Sequence, residues 1–273
     1  MKHPIGIFDS GYGGLTVMKS IVERLPAYDY LYLGDNARAP YGTRSFDRIY
    51  HYTLECVTHL FNQGCNLIIL ACNTASARAL RSIQQLNLQD LRPNGRVLGI
   101  IRPTAEIIGT ITKSKTVGIL GTPGTIKSES YRLEINKLFP DLQVFQEACP
   151  MWVPLVEHGE FDQAGADYFV QKRINGLLKQ SKTIDTLLLA CTHYPLLINK
   201  IRQFTPANIQ VLTQGNIVAE SLADYLLRHP EIDEQCTQGG TREFLTTDDP
   251  MTFDRQGSCF LGQALKSTHC KIG

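Results

Sequence analysis

The sequence predicts an α/β fold made of two similar units, each with a parallel sheet. Short apolar runs alternate with stretches of helical periodicity, the pattern of strand–helix units. The runs are continuous rather than alternating in polarity, as suits strands buried on both faces of a parallel sheet. The order of features in the first half also recurs in the second.

The first strand is expected at Ile5-Gly6-Ile7-Phe8, followed by a Gly-rich loop and a helix from Leu15 to Leu25. Tyr30-Leu31-Tyr32-Leu33 reads as the second strand, and Phe46 to Asn62 as a longer amphipathic helix. Leu67 to Ala71 and Val97 to Ile101 complete the first set of strands. The second set is Val117 to Leu120, Leu142 to Phe145, Thr186 to Ala190 and Ile209 to Leu212, with helical periodicity from Tyr131 to Phe139. Val117-Gly118-Ile119-Leu120 leads into a loop and helix as Ile5-Gly6-Ile7-Phe8 does. Leu67 to Thr74 (LIILACNT) matches Thr186 to His193 (TLLLACTH). Both cysteines of these motifs, Cys72 and Cys191, end a strand and are expected to precede a helix. Ligands of parallel α/β sheets bind at the carboxyl ends of strands, so the two thiols can face each other across a cleft.

The composition is that of an ordinary globular chain: 273 residues, 43% hydrophobic and 19% charged. With 27 basic and 26 acidic residues there is no bulk electrostatic argument for a nucleic-acid or membrane partner. The apolar runs are too short to span a bilayer, and the N-terminal run is too short for an export signal. A cytoplasmic location is therefore expected. None of the eight cysteines forms a Cys-x-x-Cys pair, so neither a zinc site nor a disulfide framework is expected. Cys56, Cys65, Cys149, Cys236, Cys259 and Cys270 read as packing or surface residues.

A pair of cysteines on opposite faces of a substrate suits one reaction class. Inverting a stereocentre next to a carboxylate requires taking the α-proton from one face and returning a proton to the other. One group acts as base and the other as acid, and the roles swap for the opposite enantiomer. A cysteine at a helix N-terminus is expected to have its pKa lowered toward neutrality, so that thiolate and thiol coexist. Asn73, Thr74, Thr192 and the backbone amides at the helix starts supply donors for substrate carboxylates and for transition-state charge. Asp9-Ser10-Gly11-Tyr12-Gly13-Gly14 lacks both the P-loop ending and dinucleotide-fold spacing. Lys115 and Lys127 have no Schiff-base context.

At these residues the sequence resembles the glutamate racemases. Ala71-Cys72-Asn73-Thr74-Ala75-Ser76 and Ala190-Cys191-Thr192-His193-Tyr194-Pro195 are similar to that family's two catalytic motifs. Phe8 to Val17, Gly34 to Gly42 and Cys149 to Glu157 are similar to three more, in the family's order. The resemblance implies two flavodoxin-like domains with the active site between them, here expected at residues 1–98 plus 213–266 and at 99–212. It implies that no cofactor and no metal take part. It makes Cys72 the base toward D-glutamate and Cys191 the base toward L-glutamate, assisted by Asp9 and His193. Asp9, Ser10, Tyr41, Gly42, Asn73, Thr74, Thr192 and His193 would bind substrate, with Glu157 and Asp35 in support. It further implies a homodimer that supplies D-glutamate for peptidoglycan. Tyr12 stands where the family more often has a small aliphatic residue. The residues alone leave two other readings open. One is a racemase of aspartate or another acidic amino acid, or a related decarboxylase. The other is a non-catalytic binding or inhibitor protein.

Overall fold

The computed structural model describes residues 3–272. Its strands are β1 (Ile5–Asp9), β2 (Tyr30–Gly34), β3 (Leu67–Leu70), β4 (Arg96–Gly99), β5 (Thr116–Gly121), β6 (Gln143–Ala148), β7 (Thr186–Ala190), β8 (Gln210–Leu212), β9 (Arg242–Thr246) and β10 (Ser267–His269). They form two sheets, ordered β10-β9-β2-β1-β3-β4 and β6-β5-β7-β8. Every ladder is parallel. The architecture is therefore two α/β units with parallel sheets, as the alternation of runs predicts, and flavodoxin-like, as the resemblance implies.

The eight expected strands form, Thr186–Ala190 with the expected ends and the others with ends shifted by at most three residues. The run ending at Ile101 is divided, because Ile101 opens the helix Ile101–Ile111. Two strands were not expected. β9 is an REFLT segment whose burial is mixed, and β10 has only three residues. Both lie on the open side of the first sheet, where one face can remain polar and the apolar signal fades. β10 begins just past residue 266, the expected end of the first unit.

The two sheets share a core order, β2-β1-β3-β4 in one and β6-β5-β7-β8 in the other. In each, the chain reverses its winding direction beside a central strand, between β1 and β3 and between β5 and β7. Such switch points leave a crevice at the carboxyl ends of the strands. Asp9, Ser10 and Cys72 stand at the first crevice, and Thr122 and Cys191 at the second.

Burial explains why these strands hold their positions. β1, β2, β3, β5 and β7 are buried along their whole lengths. Each large apolar side chain so covered contributes roughly 1.5–3 kcal/mol relative to exposure. The helix Gly14–Arg24 buries Leu15, Val17, Met18 and Ile21 on one stripe and packs against the helix Gly215–Arg228. Helix Ile101–Ile111, which follows the first set of strands, packs against Ser130–Leu138. Among the described residues, no helix is long and apolar enough to cross a membrane.

Candidate active site

A cleft of about 620 Å³, counted together with the open solvent at its mouth, lies between the carboxyl ends of the two sheets. Ser10, Tyr41, Gly42, Cys72, Asn73 and Thr74 line it from the first unit; Thr122, Cys149, Glu157, Cys191, Thr192 and His193 line it from the second. Of the residues singled out in the sequence, only Asp9 and Asp35 are absent from its wall. Both are fully buried one layer behind.

Cys72 follows β3 and is the N-cap of the helix Asn73–Arg78. Its Sγ accepts the Ala75 N–H at 3.4 Å and lies 3.4 Å from Ser10 Oγ. The expectation of a pKa near neutrality fails here. Burial pushes the Cys72 thiol up to about 12, and the nearby Asp9 carboxylate adds to the rise. The Ser10 and Ala75 hydrogen bonds pull the other way and lose. One amide of a six-residue helix does not repay the desolvation of a buried thiolate.

Cys191 differs. It follows β7, but a turn and the short 3-10 stretch Tyr194–Leu197 come next, so it caps no α-helix. Its Sγ faces His193 Nδ1 at 3.9 Å, and His193 Nε2 lies 2.9 Å from Glu157 Oε1. Burial alone would lower the His193 pKa. Hydrogen bonds to Cys191 and Glu157 outweigh it and raise the imidazolium to about 10. As an imidazolium, His193 donates through both ring nitrogens, one toward each partner. Phe260 presents an edge to the ring at 5.2 Å and itself stacks on Tyr12, so the unusual Tyr12 helps wall in the histidine.

Asp9 joins the two arms from behind. Its Oδ1 accepts the Gly11 N–H at 2.9 Å, and its Oδ2 accepts the Thr192 hydroxyl at 3.5 Å. Burial raises its carboxyl above the usual range, against the pull of His193 and of the Gly11 and Gly14 amides. Gly13 must be glycine, because a Cβ there would overlap Thr192 Oγ1 and His193 Nδ1. Asp35 anchors the other wall. It accepts hydrogen bonds from the Tyr41 hydroxyl, from Arg38 Nε at 2.7 Å and from the Thr247 hydroxyl at 2.9 Å. That clamp fixes the Tyr41–Gly42 turn against Thr122, which a Gly42 Cβ would meet at 3.0 Å.

Sequence reasoning missed part of the site. Thr122 caps the helix Pro123–Lys127 and lies 2.9 Å from Thr74 Oγ1 across the cleft, with Thr125 Oγ1 3.0 Å away. The signal was present: Thr122 follows β5 as Ser10 follows β1. Cys149, read as structural, also lines the cleft, but burial raises its thiol well above the ordinary range. Among the described residues, no cluster of three or more His, Cys, Asp and Glu side chains is arranged to hold a metal ion.

The chain is similar in sequence and fold to known proteins. The sequence model of the Asp/Glu/Hydantoin racemase family matches residues 5–222. The glutamate racemase of Geobacter metallireducens is 39% identical over 262 residues, covering 96% of this chain and 93% of that protein. A glutamate racemase isoform of Bacillus anthracis superimposes with a TM-score of 0.89 at 32% identity, covering 99% of this chain and 98% of that one. The Francisella tularensis glutamate racemase, solved with D-glutamate, gives 0.86 at 30% identity over 100% and 97% of the two chains.

Proposed function

The chain belongs to the glutamate racemase family, among the Asp/Glu/hydantoin racemases, and on that premise we propose that it interconverts L-glutamate and D-glutamate with Cys72 and Cys191 as opposed acid and base. One observation carries the reading: two buried thiols, each at the carboxyl end of a central strand of its own sheet, open onto one cleft.

In the free enzyme Cys72 is a thiol, since burial holds its pKa at about 12. His193, with its imidazolium favoured up to about 10, supplies the positive partner that a thiolate at Cys191 requires. This resting pattern suits L-glutamate. Cys191 takes the α-proton, and Cys72 delivers its proton to the opposite face, leaving a thiolate at Cys72 and a thiol at Cys191. D-glutamate is converted by the reverse transfer, with Cys72 as base. Ser10 and the Ala75 amide hydrogen-bond the Cys72 sulfur and stabilise its thiolate phase. Glu157 orients His193, and Asp9 holds Thr192 from behind the wall. Asn73, Thr74, Thr122, Thr192 and the turn at Tyr41–Gly42 offer donors for the two carboxylates. Asp9 takes a supporting position here rather than a direct contact with substrate.

D-glutamate made in this way would enter peptidoglycan, and the chain would act as a homodimer in the cytoplasm. Both proposals rest on the family resemblance; sedimentation of the purified protein tests the second. The substrate assignment is tested by a panel of amino acids followed by circular dichroism. Loss of optical activity is expected for either enantiomer of glutamate. Turnover of aspartate without glutamate, or glutamate binding without any loss of signal, would overturn it.

A further inference from the structure

Behind the Cys72 side of the cleft, three buried side chains close a ring of hydrogen bonds. The Tyr131 hydroxyl donates to Asn73 Oδ1 at 2.5 Å, Asn73 Nδ2 donates to Gln214 Oε1 at 2.8 Å, and Gln214 Nε2 donates to the Tyr131 oxygen at 2.7 Å. The three residues come from different parts of the chain: the helix after Cys72, the helix Ser130–Leu138 of the second unit, and the segment leading back into Gly215–Arg228.

Taken alone, such a ring could run in either sense. Turning over both amides together and rotating the hydroxyl would close it again. The Ile100 carbonyl removes that freedom. It lies 3.2 Å from Gln214 Nε2, and a carbonyl can only accept, so the Gln214 atom facing it must be the nitrogen. Thr104 supports the same sense. Its hydroxyl donates to the Ile100 carbonyl at 3.0 Å and accepts the second Gln214 N–H, 2.9 Å away and shared with that carbonyl, while the first points to Tyr131. Once Gln214 is fixed, Tyr131 and Asn73 follow.

The consequence falls on Asn73, which lines the cleft next to Cys72. Its oxygen is committed to Tyr131 and one of its N–H groups to Gln214. One Nδ2–H remains uncommitted. We infer that Tyr131 and Gln214 are positioning residues that present Asn73 to the substrate only as a hydrogen-bond donor, never as an acceptor. An acceptor at that point would repel a carboxylate and the negative charge that develops on deprotonation; a fixed donor favours both. This inference rests on the proposed racemisation of an acidic amino acid and names the residues that tune its binding.

A double-mutant cycle tests it. Tyr131→Phe keeps the ring packing and removes only the hydroxyl. It is expected to lower kcat/KM by about tenfold, mostly through KM, the size of one lost hydrogen bond to a charged group. In an Asn73→Ala background the same change is expected to have almost no effect, because Tyr131 acts through Asn73. Equal losses in the two backgrounds would overturn the inference, since a merely structural residue weakens both alike. Gln214→Met repeats the cycle independently should Tyr131→Phe fold poorly. Whichever acidic amino acid the wild-type chain turns over serves as substrate, and a wild type that binds without turnover is read on glutamate affinity by calorimetry. The substrate assignment thus fails on the wild type alone, and the ring fails only on the coupling.

Discussion

The Cys72 and Cys191 arms occupy equivalent places in the four-strand order that the two sheets share, yet their surroundings treat a proton differently. Cys72 caps a short helix, meets one amide and one hydroxyl, and is held protonated by burial. Cys191 caps no α-helix and faces the His193 ring, whose imidazolium form is favoured by its hydrogen bonds to Cys191 and Glu157. The backbone is nearly symmetric and the electrostatics are not. A two-base reaction needs one thiol and one thiolate at the same time, and two identical surroundings would not favour that state. Under the proposed mechanism, the difference between the arms keeps a proton on Cys72 and places the positive partner on the Cys191 side.

Thermodynamics limits where this asymmetry can be seen. Two enantiomers have equal free energy in water, so kcat/KM must be the same in both directions, for the wild type and for every variant. The asymmetry can appear only in kcat and KM separately, in isotope effects and in pH dependence.

The largest expected effect erases the comparison. Cys72→Ala and Cys191→Ala should each reduce racemisation by about a thousandfold or more, the scale of losing a general acid or base. Coupled-enzyme detection of the product checks this; full activity in either variant would remove that arm. A sharper contrast comes from Glu157→Gln. It removes one of the two hydrogen bonds that raise His193. The fall of wild-type kcat/KM at alkaline pH, expected as His193 loses its proton near about 10, should move to lower pH. The α-deuterium isotope effect should grow for L-glutamate, whose proton goes to Cys191, more than for D-glutamate. Equal changes in both directions would count against the assignment of faces.

The same pair should register in stability. The folded His193 pKa is raised from 6.5 to about 10, so its contribution is complete below about 6.5 and disappears as pH rises toward about 10. The difference in urea midpoint between wild type and Glu157→Gln should be greatest near the lower end of that window and shrink toward its upper end. Gly13→Ala is expected to have a smaller effect, about 1–3 kcal/mol in denaturant titration, because its Cβ must displace Thr192 and His193. Smallest of all, Cys259→Ser should change stability by no more than about 0.5 kcal/mol, since that thiol is exposed.

Much of this was legible in the sequence, and the limits have physical reasons. Strands buried on both faces, such as Leu67–Leu70 and Thr186–Ala190, announce themselves as apolar runs, and the paired cysteine motifs lie at their ends. Arg242–Thr246, paired on both sides but only partly buried, and the three-residue edge strand Ser267–His269 carry weaker signals. The His193–Glu157 pair was accessible through motif resemblance, although its geometry depends on a fold that brings residue 157 to residue 193. Thr122 was missed because a threonine after a strand carries no chemistry that marks it out, and only the fold brings it to Thr74. Two features could not be read from local sequence at all. The rise of the Cys72 pKa is a desolvation effect that the surrounding fold determines. The Asn73–Tyr131–Gln214 ring joins residues too far apart in the chain for any spacing rule to connect them.

The most direct test of opposed thiols is racemisation of protiated L-glutamate in deuterated water, stopped early and analysed at the α-carbon. The two-arm account predicts D-glutamate carrying solvent deuterium, because the proton taken by Cys191 is not the one returned by Cys72. D-glutamate that retains its original protium would mean that a single group carries the proton from one face to the other, and would contradict the account.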